Sequence, residues 1–242
     1  SPEEMRVKIR NVLRVRAPSE VKPPDAADVG RVKRDTYHID KLVLETDVGA
    51  VLPGLTLHPS GPSDDAYLYL HDKGKVGDIE SGGPITSLID NGHVVITVDL
   101  RGQGETSNQK RDPLLTDWKL YYLAYLLGKP LLGMRVEDAL AAADFVAYYE
   151  KDRDDPRDVH LVGVGQAGVV ALHAAALQPQ LFASVTLRDV PKDWSSVVNT
   201  RIPKGCLENA VHGALEVYDL PDLVRLIGEE NIRFEDTDGE SL

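Results

Sequence analysis

Residues 159–177, VHLVGVGQAGVVALHAAAL, constrain the fold more than any other stretch. An apolar run ends in GVGQAG and passes directly into a second apolar run rich in Ala, Val and Leu. A strand buried on both faces, a tight glycine turn and a buried helix account for this pattern, and such strands belong to parallel sheets covered by helices. The rest of the chain repeats the theme. YHIDKLVLETD (37–47), VLPGLTLHP (51–59), AYLYLHD (66–72), HVVITVDLRG (93–102), LFASVTLRD (181–189) and IRFED (232–236) read as strands. GPITSLIDNG (83–92), the aromatic segment 114–127 and residues 131–150 read as helices, and 207–228 as two short helices broken at Pro221. The alternation predicts an α/β fold: a doubly wound, mostly parallel sheet with helices on both faces, the two early strands making an antiparallel edge. Residues 3–16 read as a short basic helix and 17–30 as a Pro- and Asp-rich connector. The expected layout is an N-terminal helix and linker over 1–30 and one α/β domain over 31–242.

The chain's 242 residues suffice for one large core. A formal net charge of −12 argues against nucleic acid or an anionic membrane as partner. No apolar run approaches the roughly 18 residues that a membrane span requires. The single cysteine, Cys206, rules out an intrachain disulfide and a thiolate zinc cluster. The spacing of His, Asp and Glu along the chain suggests no metal site, and no cofactor is expected. The opening SPEEMRVKIR has no signal-peptide h-region, and the chain stops just after a strand-like run. A fragment or processed product, cut short at its C-terminus, is the expectation.

The glycines admit two readings. Gly163, Gly165 and Gly168 fit G-x-G-x-x-G, the dinucleotide cradle, and Asp189 follows Gly168 by 21 residues at the end of the next strand, where a ribose ligand would stand. Position counts against this: that fingerprint opens its fold, whereas here at least three sheet strands come first. The same residues also fit G-x-S-x-G-G, a nucleophile elbow, with Gly165 in the serine position.

Three further segments favour the elbow. YLYLHDKGK (67–75) looks like a strand and oxyanion loop, VDLRGQGETS (98–107) like a D-x-R-G-x-G-x-S turn, and HGALEVYDLPDL (212–223) like a tail segment of known esterases. Over residues 37–238 the chain resembles the acetyl xylan esterase-like (dienelactone-hydrolase-like) branch of the α/β-hydrolase superfamily. The resemblance implies an α/β-hydrolase fold and bacterial carbohydrate-esterase relatives that act on plant polysaccharides outside the cytoplasm. Carried over by position, it places the nucleophile at Gly165, the oxyanion N–H at Gln166, His71-Asp72 where His-Gly is usual, and the catalytic acid at Asp236 or Asp238. The histidine beyond one more strand is not in the chain.

Glycine cannot attack a carbonyl, and acyl transfer needs nucleophile and base within hydrogen-bond reach. The expectation is therefore a pseudoenzyme: a degenerate elbow in a non-catalytic domain, paired with an esterase domain upstream in the same polypeptide, with a carbohydrate as candidate ligand. Trp118, Trp194 and Tyr122 are candidates to line its cleft, although core packing suits each. An active ester hydrolase would need a substitute nucleophile (Ser107, Ser195, Ser196 or Cys206) and base (His71 or His212). Blander roles suit these residues. Ser107 closes a turn, Ser195 and Ser196 start a helix, and Cys206 is a small buried hydrophobe. His71 bonds within its loop, His212 packs on a helix near Tyr218, and His173 lies at the core edge. Asp99 and Arg101 are expected to brace their loop by ion pairing.

Overall fold

The computed structural model describes residues 1–61, 63, 65–107, 118–151, 154–201 and 205–235. Eight strands form one sheet: β1 (Asp25–Lys33), β2 (Tyr37–Glu45), β3 (Val51–Pro59), β4 (Asp65–His71), β5 (Val94–Val98), β6 (Asp158–Val164), β7 (Ser184–Arg188) and β8 (Ile232–Glu235). The helices are α1 (Pro2–Leu13), α2 (Pro84–Asp90), α3 (Trp118–Leu126), α4 (Leu131–Tyr148), α5 (Gln166–Leu177), α6 (Trp194–Asn199) and α7 (Leu220–Ile227). The spatial order is β1-β2-β3-β5-β4-β6-β7-β8. Strands β5, β4, β6, β7 and β8 are parallel, and β1, β2 and β3 extend the sheet antiparallel from β5.

The larger core fills the face covered by α1, α4, α5 and α7, where Leu42, Leu68, Ile96 and Leu161 meet Leu13, Val136, Val170 and Leu223. Alternate residues of the same strands (Leu57, Tyr69, Val95 and Val162) pack with Ile85 and Ile89 of α2 on the other face. Helix α5 lies between neighbouring helices and sheet, and each of its residues from Ala167 to Leu177 is buried, as its lack of a polar stripe requires.

Helix α1 belongs to this core. Its Ile9 and Leu13 are fully buried, and Gly133 of α4 admits the α1 backbone: a Cβ there would lie 1.9 Å from the Leu13 carbonyl oxygen. Arg6 donates to the carbonyls of Ala176 and Leu226, and Arg10 to that of Leu177. The basic residues of the opening helix thus neutralise the negative C-terminal ends of α5 and α7.

Three expectations need correction. The connector assigned to 17–30 contains β1, so the boundary at residue 30 falls inside a strand. This strand is exposed almost throughout and has no alternating apolar pattern to reveal it. Pro221 does not break a helix: it sits in the first turn of α7, where a missing N–H costs nothing, and the residues before it form short turns. His212 is exposed in one of those turns. The imidazole that meets Tyr218 belongs to His173, which is fully buried, with Nδ1 2.7 Å from the Val169 carbonyl and Nε2 3.0 Å from the Tyr218 hydroxyl. Nδ1–H donates to the carbonyl and Nε2 accepts from the phenol.

Burial lowers the His173 pKa to about 4, from an ordinary value near 6.5. The unfolded chain therefore binds a proton that the folded chain refuses between those two pH values. Stability from this residue is complete above about pH 6.5 and falls as the pH drops toward 4, by on the order of 3 kcal/mol. Urea unfolding across this range should show the loss in the wild type and a shallower slope in His173→Gln.

Candidate active site

The elbow forms at the topological switch of the sheet. Strands β4 and β6 are parallel neighbours with His71 opposite Val164, yet β4 leads to α2 on one face and β6 to α5 on the other. Loops diverging from adjacent strand ends leave a crevice there, the usual ligand position in such sheets. His71-Asp72 and Gly165-Gln166 meet across it.

The three glycines have steric explanations. A Cβ on Gly163 would lie 2.6 Å from Ala171 Cβ and 2.7 Å from Gly168 Cα, and one on Gly168 would lie 2.3 Å from Val190 Cγ2. Both let α5 press against β6. Gly165 has φ 60° and ψ −133°, a left-handed turn that swings the chain from strand to helix. Its N–H donates to the Arg188 carbonyl at 2.9 Å, so the turn is tied to β7.

The nucleophile position holds a carboxylate from another loop. A Cβ built on Gly165 would lie 2.3 Å from Asp72 Oδ2. The backbone N–H of Gln166, the donor that an oxyanion would use, is among the groups that favour the charged form of the same carboxylate. Burial raises the Asp72 pKa, but His71 and the Gln166 N–H outweigh this and hold the carboxyl below its usual range. His71 is buried, with Nδ1 2.9 Å from Asp72 Oδ1 and Nε2 3.5 Å from Asp78 Oδ1. Beneath it, Asp78 accepts from the Tyr69 hydroxyl at 2.5 Å and from Arg188 at 3.1 Å, and Arg188 also reaches Glu235.

Buried ion pairs hold the surrounding loops. Asp99, fully buried, accepts from the backbone N–H groups of Lys75 and Glu105 and pairs with Lys75 Nζ at 2.6 Å. Burial disfavours the Lys75 charge, yet Asp99 and Glu105 raise its pKa overall. Arg101 pairs with Asp138, whereas the fully buried Arg135 donates to the Arg101 carbonyl and to Glu208. Asp99 and Arg101 both brace the loop, each with its own partner. Next to Glu208, Asn209 donates to the Gln166 carbonyl and to its side-chain Oε1.

The substitute nucleophiles have structural roles. The hydroxyls of Ser107 and Ser196 donate to the carbonyls of Gly104 and Asp193, and that of Ser195 donates to Asp219. Burial raises the Cys206 thiol pKa, which disfavours the thiolate. Cys206 lines a largely apolar cavity of about 340 Å³ beside Gln166, together with Val169, Trp194, Val197 and Leu207. Trp194 thus reaches the crevice, whereas Trp118 and Tyr122 lie on the exposed side of α3. Asp236 and Asp238 lie outside the described residues. In the dinucleotide reading, a pyrophosphate at the N-terminus of α5 would meet the Asp72 carboxylate, and Asp189, at φ 55°, would be its ribose ligand.

The chain belongs to the alpha/beta hydrolase fold family, whose model matches residues 79–204. A candidate acetyl xylan esterase from Bacteroides fragilis NCTC 9343 is similar in structure with a TM-score of 0.75, at 14% identity over 97% of this chain and 67% of that one. Acetyl Xylan Esterase 1 from Thermoanaerobacterium sp. JW/SL YS485 gives a TM-score of 0.60 at 16% identity, over 97% and 76%. An acetyl xylan esterase from Paenibacillus sp. R4 gives 0.56 at 14%, over 97% and 75%. At these identities the likeness is one of fold. No curated protein matches the sequence.

The Asp72 contact can be tested through stability. Gly165→Ala places a Cβ at positive φ and against the carboxylate, and should cost about 1–3 kcal/mol in urea unfolding. In an Asp72→Gly background the same change should cost distinctly less. Equal costs in both backgrounds would show that Asp72 does not crowd the position.

Proposed function

We propose that this chain is a non-catalytic α/β-hydrolase domain, akin in fold to acetyl xylan esterases, within a larger polysaccharide-processing protein outside the cytoplasm. The observation that carries this reading is the Asp72 carboxylate against Gly165 and on the Gln166 N–H. An ionised carboxylate there repels a developing oxyanion and fills the space that a side chain at residue 165 would occupy. Residue 165 has no side chain to attack with, and the Gln166 N–H, the donor available to an oxyanion, already faces a carboxylate.

The surface supports a role in association. Helix α3 exposes Trp118, Tyr122, Leu123, Tyr125 and Leu126, an apolar grouping of the kind that marks contact surfaces. An esterase domain in the same polypeptide is the partner we infer for it. The crevice keeps an apolar wall at the cavity beside Gln166, with Trp194 available to stack on a carbohydrate ring.

The test is hydrolysis of p-nitrophenyl acetate by the wild type, Gly165→Ser and Gly165→Ser/Asp72→Gly. The wild type and the single variant should not exceed buffer, because the serine alone would still face the carboxylate. Wild-type turnover abolished by a serine- or cysteine-directed inhibitor would overturn the reading and establish a working ester hydrolase.

A further inference from the structure

A second polar cluster lies far from the elbow, and strand pairing rather than sequence spacing creates it. In the antiparallel ladder of β2 and β3, His38 stands directly opposite His58, and Asp40, two residues along, shares their face. The two imidazoles stack with centroids 4.4 Å apart. Asp40 Oδ2 is 3.3 Å from His58 Nε2 and 3.8 Å from His38 Nε2, and the ligating atoms of all three lie within 4.8 Å of one another. A tetrahedral zinc ion with bonds of about 2.0–2.1 Å holds its ligand atoms roughly 3.3 Å apart. The distances are within reach of such an ion, and one imidazole must tilt out of the stack, whose planes lie 8° apart, for both lone pairs to converge on it.

The surroundings fit the same chemistry. Asp40 and His58 are buried, whereas the His38 side chain is 34% exposed and leaves a way in. Two imidazoles and one carboxylate suit zinc and its neighbours rather than magnesium or calcium. Two features oppose binding: the Tyr149 hydroxyl lies 3.2 Å from His58 Nε2, and Arg31 of β1 grips both Asp40 oxygens, at 2.5 and 2.7 Å. The Arg31 side chain is 57% exposed, so water can solvate the guanidinium once the ion takes its place on the buried carboxylate. It can turn outward, and until it does it supplies the positive charge that Asp40 needs.

We propose that His38, Asp40 and His58 form a divalent transition-metal site selective for zinc-like ions, and that Arg31 is the displaceable cation guarding it. The site clips β2 to β3 at the end of the sheet opposite the elbow: Leu57, beside His58, pairs with Val95 at the start of β5, and the elbow lies beyond strand ends. It is independent of the hydrolase-like crevice.

The experiment is calorimetric titration of tag-free, chelator-treated protein with zinc chloride, alongside thermal melting. One zinc per chain should bind, and at about a hundredfold excess over Kd the melting temperature should rise by roughly 5–10 °C. His38→Ala and Asp40→Asn should each weaken binding at least about tenfold, and Arg31→Gln should tighten it. His38 is partly exposed and Asp40→Asn is isosteric, so both variants should fold, as circular dichroism would verify. No binding at millimolar zinc would overturn the proposal, as would unchanged affinity in both ligand variants, which would move the ion elsewhere, for instance near Asp65, His93 and His160. An Arg31→Gln chain that binds no tighter would overturn the guarding role.

Discussion

The tight passage from β6 to α5 is the constraint on which the rest of the structure depends. A strand can enter a helix through one residue only if that residue takes a left-handed backbone and the helix can sit close to the strand. Gly165 meets the first requirement, and Gly163 and Gly168 meet the second. Once α5 is so placed, its N-terminus points into the crevice between β4 and β6, and its flanks must be covered by α1, α4 and α7. The three glycines that resemble a phosphate fingerprint are explained by packing alone. They persist here without the side chain that normally gives such a turn its chemistry.

A crevice without a nucleophile still needs support, and this one has it. Three buried ion pairs (Lys75–Asp99, Arg101–Asp138 and Arg135–Glu208) link the loops after β4 and β5 to α4 and to the segment before α7. Breaking one partner of such a pair leaves a charge stranded in the core and costs about 3–5 kcal/mol. That cost is independent of turnover. The frame is held whether or not the crevice supports a reaction, so loop geometry here is a poor guide to activity.

The sequence made the central strands and helices legible because burial on both faces writes apolar runs that cannot be mistaken for loops. It also made the glycine turn between β6 and α5 legible, since that turn is local in the chain. What it hid is of three kinds. Strand β1 is exposed and polar, so neither period nor hydrophobicity marks it. His212 and His173 exchange roles at Tyr218, because only the packed helix shows which ring is within reach. The Asp72 carboxylate at Gly165, and the meeting of His38, Asp40 and His58, are products of sheet order and register. Asp72 and Gly165, 93 positions apart along the chain, carry no spacing signal, and neither does a pair formed across a hairpin.

The Asp72 side chain has a consequence for recognition. Beyond its Cα it is an acetate group on a covalent tether. Held against the Gln166 N–H, it competes with any free carboxylate or carbonyl as an intramolecular ligand does, at an effective concentration that a solute seldom reaches. A free carboxylate would have to displace this tethered one to reach the same N–H. Beside it, the cavity wall of Val169, Trp194 and Leu207 offers apolar surface and a ring face rather than polar groups.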